Sequence, residues 1–122
     1  MIAYNATRNT TVATKVETAD TSASRGKGLL GRDHLAADEG LYITLSPALS
    51  VVPCPTIHTF FMKFPIDVLF LDADHKVERV IEDMVPWRLS AWVPAARGVL
   101  ELKGGVLKGA VKVGDAIEMR PS

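Results

Sequence analysis

The stretch His58-Thr59-Phe60-Phe61-Met62-Lys63-Phe64-Pro65-Ile66-Asp67-Val68-Leu69-Phe70-Leu71-Asp72 decides the fold. His58, Phe60, Met62, Phe64, Ile66, Val68 and Phe70 share one parity, and all but His58 are apolar. Thr59, Phe61, Lys63, Asp67 and Leu69 share the other, which is more polar. Side chains alternate across a strand, so this pattern predicts a β-strand with its apolar side on the core. Pro65 cannot donate to a sheet ladder and is expected to break the run into two strands or mark a bulge. Asp72-Ala73-Asp74-His75 reads as a hairpin connection, because Asp side chains hydrogen-bond their own backbone in turns.

Working outward, Lys76–Ile81 is the expected returning strand, Arg97–Leu102 another, and Ala116–Arg120 the last, after a Val113-Gly114-Asp115 turn. Gly104-Gly105 ends the Arg97 strand, and Val106–Ala110 is a turn or short helical piece. On the N-terminal side, Thr11–Glu17 alternates β-branched and polar residues and reads as one strand, Leu41–Leu45 as another, with an earlier strand at Ile2 and Tyr4 turning near Arg8-Asn9. Asp20, Thr21 and Ser22 are helix-starting residues, so Thr21–Leu30 is the expected helix, with Gly31 as its C-terminal cap. Pro47, Pro53 and Pro55 make Ser46–Pro55 an extended connection, a mobile lid or a rigid strap. Seven or eight short strands with one short helix predict a mainly β (α+β) protein, a small antiparallel barrel or sandwich.

The chain has 122 residues, enough for one domain with one core. Hydrophobic residues make up 48% and charged residues 23%, a globular rather than a disordered balance. Lys plus Arg and Asp plus Glu are 14 each, so nothing in the overall charge seeks nucleic acid or an anionic membrane. No run approaches the roughly 20 apolar residues that span a bilayer. The N-terminus has no basic stretch followed by an apolar one, so no signal peptide is expected, and the cytoplasm is the expected compartment.

Cys54 is the single cysteine, which excludes an intrachain disulfide and a cysteine-rich metal centre. A Cys54–His58 dyad needs side chains within about 3 Å, whereas four extended residues span about 13 Å. Cys54 therefore reads as a packing residue, and no metal or other cofactor is expected. Arg25-Gly26-Lys27-Gly28-Leu29-Leu30-Gly31-Arg32 is basic and glycine-rich, but Gly31 is followed by Arg32 and Asp33 rather than Lys and Ser or Thr, so it is no P-loop. It reads as a helix end or, less simply, as an anion site using Arg25, Lys27 and Arg32.

Asp67 lies between Ile66 and Val68, and Glu101 between Leu100 and Leu102. Each is either on the solvent side of a half-exposed strand or buried and paired, since an unpaired ionised carboxylate in a core is very costly. Lys63, Arg97 and Arg32 are the expected partners for Asp67. His58 is a core-edge histidine or a ligand-contacting group at a cavity mouth. Trp87 and Trp92 read as lids over one end of the core.

Beyond these readings, the His58–Asp72 stretch resembles the uncharacterised DUF192 (UPF0127) family: an aromatic pair, Met-Lys, a proline bend, then a hydrophobic strand carrying Asp and ending in Asp. Gly28-Leu29-Leu30-Gly31-Arg32 is similar to the family's Gly-Leu-Met followed by Arg. Val99-Leu100-Glu101-Leu102-Lys103-Gly104-Gly105 is similar to its Val-Leu-Glu-Leu-Pro-Ala-Gly, and Val113-Gly114-Asp115 to its closing Val-Gly-Asp. The matches run in family order over about residues 19–118. Phe61 stands where Trp is common, Leu30 for Met and Lys103-Gly104 for Pro-Ala. The resemblance implies a compact β-rich fold with a short helix, and it implies no reaction.

The expected function is a small non-enzymatic module binding a small molecule or a protein partner, with ligand contacts from His58, Lys63, Asp67, Glu101 and Arg32. One alternative is an enzyme using Asp67, Glu101 or Asp115 as general base with His58 as its partner. Another is a structural accessory subunit exposing an apolar patch at Val51-Val52-Pro53 or Trp87–Trp92. No nucleic acid and no membrane insertion are expected, and the chain is expected to be a monomer or weak dimer.

Overall fold

The computed structural model describes residues 1–19, 29, 31–44, 59, 62–90 and 93–122. They form eight strands: β1 Ile2–Asn5, β2 Thr10–Ala13, β3 Lys15–Ala19, β4 Glu39–Thr44, β5 Ile66–Leu71, β6 Val77–Met84, β7 Gly98–Lys103 and β8 Ile117–Arg120. These make a three-stranded sheet ordered β2-β1-β8 and a five-stranded sheet ordered β3-β4-β7-β5-β6. The two sheets stack as in a sandwich, and no barrel closes. All pairings are antiparallel except β3 with β4. No helix occurs among the described residues. The expected Thr21–Leu30 helix and the Ser46–Pro55 connection lie almost wholly or wholly outside them.

The ladder begins immediately after Pro65, at Ile66; among the described residues of the His58–Phe64 stretch no strand precedes it, so the first of the two expected strands is not seen there. The Asp72–His75 hairpin forms as expected: the Asp72 Oδ1 accepts the N–H groups of Asp74 at 2.8 Å and Lys76 at 2.9 Å. The expected single strand Thr11–Glu17 is instead two. At Thr14 the chain turns, Thr14 and Lys15 both donate to the Asp38 carbonyl, and β2 and β3 enter different sheets.

The more important correction concerns β5. A half-buried strand was the expectation, yet every residue from Ile66 to Leu71 is buried. The reason is position. β5 and β7 lie inside a sheet whose two faces are both covered, so neither parity meets water. On one face, Ile66, Val68 and Phe70 pack with Leu41, Ile43, Val99, Leu35, Met62 and Met84. On the other, Leu69, Leu71, Leu100 and Leu102 pack with Ala3 and Ile117 of the three-stranded sheet and with Leu107 and Val111.

Close approach sets one residue outright. A Cβ on Gly98, at the start of β7, would land on the ring and hydroxyl of buried Tyr42 on β4. Gly98→Ala should therefore lower stability by about 2 kcal/mol through overpacking, measured as a fall in the midpoint of urea unfolding with little change in slope.

Candidate functional site

The register separates the two strand carboxyls. Asp67 sits opposite Leu102, and Glu101 sits opposite Val68. Directly opposed residues in a ladder point to the same side, so Asp67 faces the Leu69–Leu102 core and Glu101 faces the Val68–Phe70 core. Both are buried, which removes the half-exposed alternative. They lie on opposite faces of one sheet and do not meet.

Asp67, fully buried, finds its partners in the backbone rather than in Lys63, Arg97 or Arg32. Its Oδ1 accepts the N–H of Asp83 at 2.7 Å and of Gly105 at 2.9 Å, and its Oδ2 accepts that of Leu107 at 2.9 Å. Asp83 has φ +55° at a place where β6 carries an extra residue relative to β5, and Gly105 has φ +87°. One carboxylate thus fastens a bulge in β6 and the turn after β7 to the middle of the sheet. The cations expected beside it are engaged elsewhere: Lys63 with Asp33 at 2.7 Å, Arg32 with Glu17 at 2.9 Å, and Arg97 with the Pro94 and Ala96 carbonyls.

Asp115 plays a similar part at the other end. Its Oδ2 accepts from Asn5 Nδ2 at 2.9 Å, Arg8 Nε at 2.7 Å and the Lys112 N–H at 2.9 Å. Burial alone would raise its pKa, but these donors outweigh it and hold the carboxyl below its ordinary value. It ties the β1–β2 hairpin to the loop before β8 and shares no cavity-lining position with Asp67 or Glu101.

Glu101 differs from both. It is 3% exposed and faces the apolar core that contains Val68, Phe70 and Val99. Its cross-strand neighbours are Leu41 and Val68. Burial in this apolar setting pushes its pKa up to about 7. Lys103 lies two residues further along the same side of β7 and lines a cavity of about 200 Å³ with His34, Leu35, Ala36, Phe64, Pro65 and Gly104. A shallower hollow of about 400 Å³ adjoins it across Lys103 and Gly104, bounded also by Val106 and Lys108. The cavity residues on the 34–36 loop carry no sequence signal, because they belong to no periodic element. Lys103 stands out only as a departure from the family's proline.

His58, Cys54, Arg25, Lys27 and Trp92 lie outside the described residues. Among the described residues, no group of three or more His, Cys, Asp or Glu side chains is placed to hold a metal ion, and no helix is long and apolar enough to cross a membrane. Trp87 is no lid, being 56% exposed. Its backbone is held at φ +66° by buried Thr59, whose Oγ1 donates to the Val85 carbonyl at 2.7 Å and accepts the Arg88 N–H at 2.9 Å.

The geometry therefore defines a small two-sheet β protein with two carboxyls held by donors of the fold and a third, Glu101, buried on the opposite face of the sheet from Asp67. The chain belongs to the DUF192 family, described as Uncharacterized ACR, whose profile matches residues 4–119. It is 44% identical over 64 residues to a UPF0127 protein of Pyrococcus abyssi, a match covering 52% of this chain and 54% of that relative, about half its length. Among solved structures, a protein of unknown function from Novosphingobium aromaticivorans superposes with a TM-score of 0.80 at 25% identity, covering 97% of this chain and 82% of the other. A protein of Sinorhizobium meliloti described as a candidate transcription regulator gives 0.77 at 26% identity, covering 96% and 89%. The motif resemblance and the fold thus agree, and the family's function is uncharacterised.

Two predictions follow from the carboxyls. Asp67→Asn would place an amide donor against the Leu107 N–H and should cost about 2–3 kcal/mol in chemical denaturation. Glu101 keeps its proton in the folded state to about pH 7 but loses it near 4.5 when unfolded. The folded state thus binds more protons in that window, and stability falls as pH rises through it, by about 3 kcal/mol in all. Glu101→Gln should flatten this slope and gain stability at pH 8; an unchanged pH profile would show that Glu101 is ordinary.

Proposed function

We propose that this protein is a small-ligand-binding module, with its site at the cavity formed by the 34–36 loop, Phe64, Pro65 and the end of β7. The supporting observation is how the carboxyls are used. Asp67 and Asp115 are bound by donors within the fold, whereas Glu101 is buried in an apolar setting that raises its pKa to about 7, on the side of β7 that leads to Lys103, which lines the cavity. Burying a carboxyl among apolar side chains is costly, and a polar ligand group or water reaching it from the cavity would relieve that cost. The apolar walls with few polar groups match the general make-up of small-molecule sites. His58, Lys63, Asp67 and Arg32 are not needed by this reading. The description of the Sinorhizobium protein does not extend a nucleic-acid role to this chain, whose acidic and basic residues are equal at 14 each.

A second reading takes Glu101 as a general acid–base group, since a carboxyl with a pKa of about 7 is poised for proton transfer. It is the weaker of the two, because Asp67 faces the other side of the sheet, Asp115 is engaged with Asn5 and Arg8, and the expected partner His58 lies outside the described residues. A third, an accessory subunit, draws on the exposed Val85, Trp87 and Leu89, at 41%, 56% and 63%.

Fragment screening by amide chemical shifts tests the first reading. Saturable shifts are expected at residues 34–36, 64 and 103–104, and Ala36→Phe, which fills the cavity, should abolish them while the spectrum stays folded. Binding that maps to residues 85–89 instead, or that survives Ala36→Phe, would remove the cavity as the site.

A further inference from the structure

We infer that the ligand of this cavity is a neutral molecule: a compact apolar body between Leu35, Phe64 and Pro65, carrying one head that both donates and accepts a hydrogen bond, a hydroxyl or a primary amide. This deepens the cavity reading above and rests on it. The charges around the two adjoining hollows are of both signs, and neither sign stands alone. Lys103 lines both hollows, and the Asp83 carboxyl lies against Gly104 on the same wall, its Oδ1 3.0 Å from where a Cβ on that glycine would stand. The Asp33 carboxyl is held below its ordinary pKa by Lys63, its partner at 2.7 Å, and also by the charge of His34, so the histidine of the smaller hollow already faces an acid. Lys108 borders the larger hollow, and the Glu82 Oε1 accepts the N–H of the next residue, Gly109, at 3.2 Å. Behind them, Glu101 precedes Lys103 by two residues on the same side of β7.

An anion drawn to Lys103 therefore meets Asp83 on the same wall and Glu101 further in. An organic cation drawn to those acids meets Lys103, His34 and Lys108. Either ion also leaves water for walls made of Leu35, Ala36, Phe64 and Pro65, whose side chains return no compensating bond. A neutral head incurs neither cost. Glu101 narrows the choice of head. Its carboxyl titrates near pH 7, so at neutral pH it is present both protonated, when it donates, and ionised, when it only accepts. A hydroxyl or a primary amide can bond to either form, whereas an ether oxygen serves only the protonated one. At about 200 Å³ the smaller hollow falls below the roughly 300–1,000 Å³ of drug-sized sites, which limits the body to a ring or a short chain.

The experiment titrates the whole chain at pH 7 with 3-phenylpropanol, its methyl ether, 3-phenylpropanamide, 3-phenylpropanoate and 3-phenylpropylamine, following backbone amides 34–36, 64 and 103–106. The alcohol and the amide are expected to saturate these shifts, and the carboxylate and the amine each to bind about tenfold more weakly or worse, as ions losing water without a dedicated partner. Two variants separate exclusion by charge from simple misfit. Asp83→Asn removes the acid on the wall, and Asn tolerates the positive φ of that position; it should strengthen the carboxylate a few-fold and leave the alcohol as it was. Lys103→Met should do the same for the amine. If the carboxylate or the amine binds as tightly as the alcohol, the neutral assignment is overturned while the cavity stands. It is also overturned if neither variant improves the excluded ion, or if the ether matches the alcohol at pH 8, where Glu101 is mostly ionised. If no probe shifts these amides but the broader fragment screen does, only the ligand class falls; if neither does, the cavity reading falls with it.

Discussion

The Asp67 carboxylate is the constraint on which the rest of the structure depends. It is fully buried and takes three backbone N–H groups from two separate segments, Asp83 on β6 and Gly105 and Leu107 after β7. Those N–H groups have no ladder partner, because one belongs to a bulge and two to a tight turn. Without the carboxylate the buried Leu107 N–H would be left open, at a cost of about 1–3 kcal/mol, and the bulge and turn would lose their anchor. With it, the bulge and the turn become fixed points. The turn then places Leu107 in the core against the second sheet, while Lys103 and Gly104 immediately before it wall the cavity. A single side chain thereby links the central sheet, the packing of the second sheet and the edge of the candidate site.

The same logic separates structural from available carboxyls. Asp115 holds the β1–β2 hairpin against the loop before β8 through three donors on one oxygen. Its lowered pKa reflects those donors overcoming burial. Glu101 sits in an apolar setting where burial raises its pKa instead.

Strain elsewhere is organised in the same way. Trp87 is held at positive φ, uncommon for a bulky residue, by a buried threonine that bonds the loop on both sides. The indole is thereby kept largely in solvent, against the usual tendency of tryptophan to be covered.

The sequence by itself determined the strands, the proline break before Ile66, the Asp72 hairpin and the family, because these depend on short-range periodicity, turn chemistry and motif order. It also singled out Asp67, Glu101 and Asp115 as carboxyls in unusual company. Only the tertiary structure decided that β5 is covered on both faces, since burial of the second parity depends on β1 and β8, strands near the two ends of the chain. Only the register decided that Asp67 and Glu101 face opposite ways, because adjacent strands can pair in either phase and a one-residue slip reverses every side chain. The donors to Asp67 were equally hidden: they are main-chain groups 16 to 40 residues away, and backbone N–H groups leave no mark in the choice of residue.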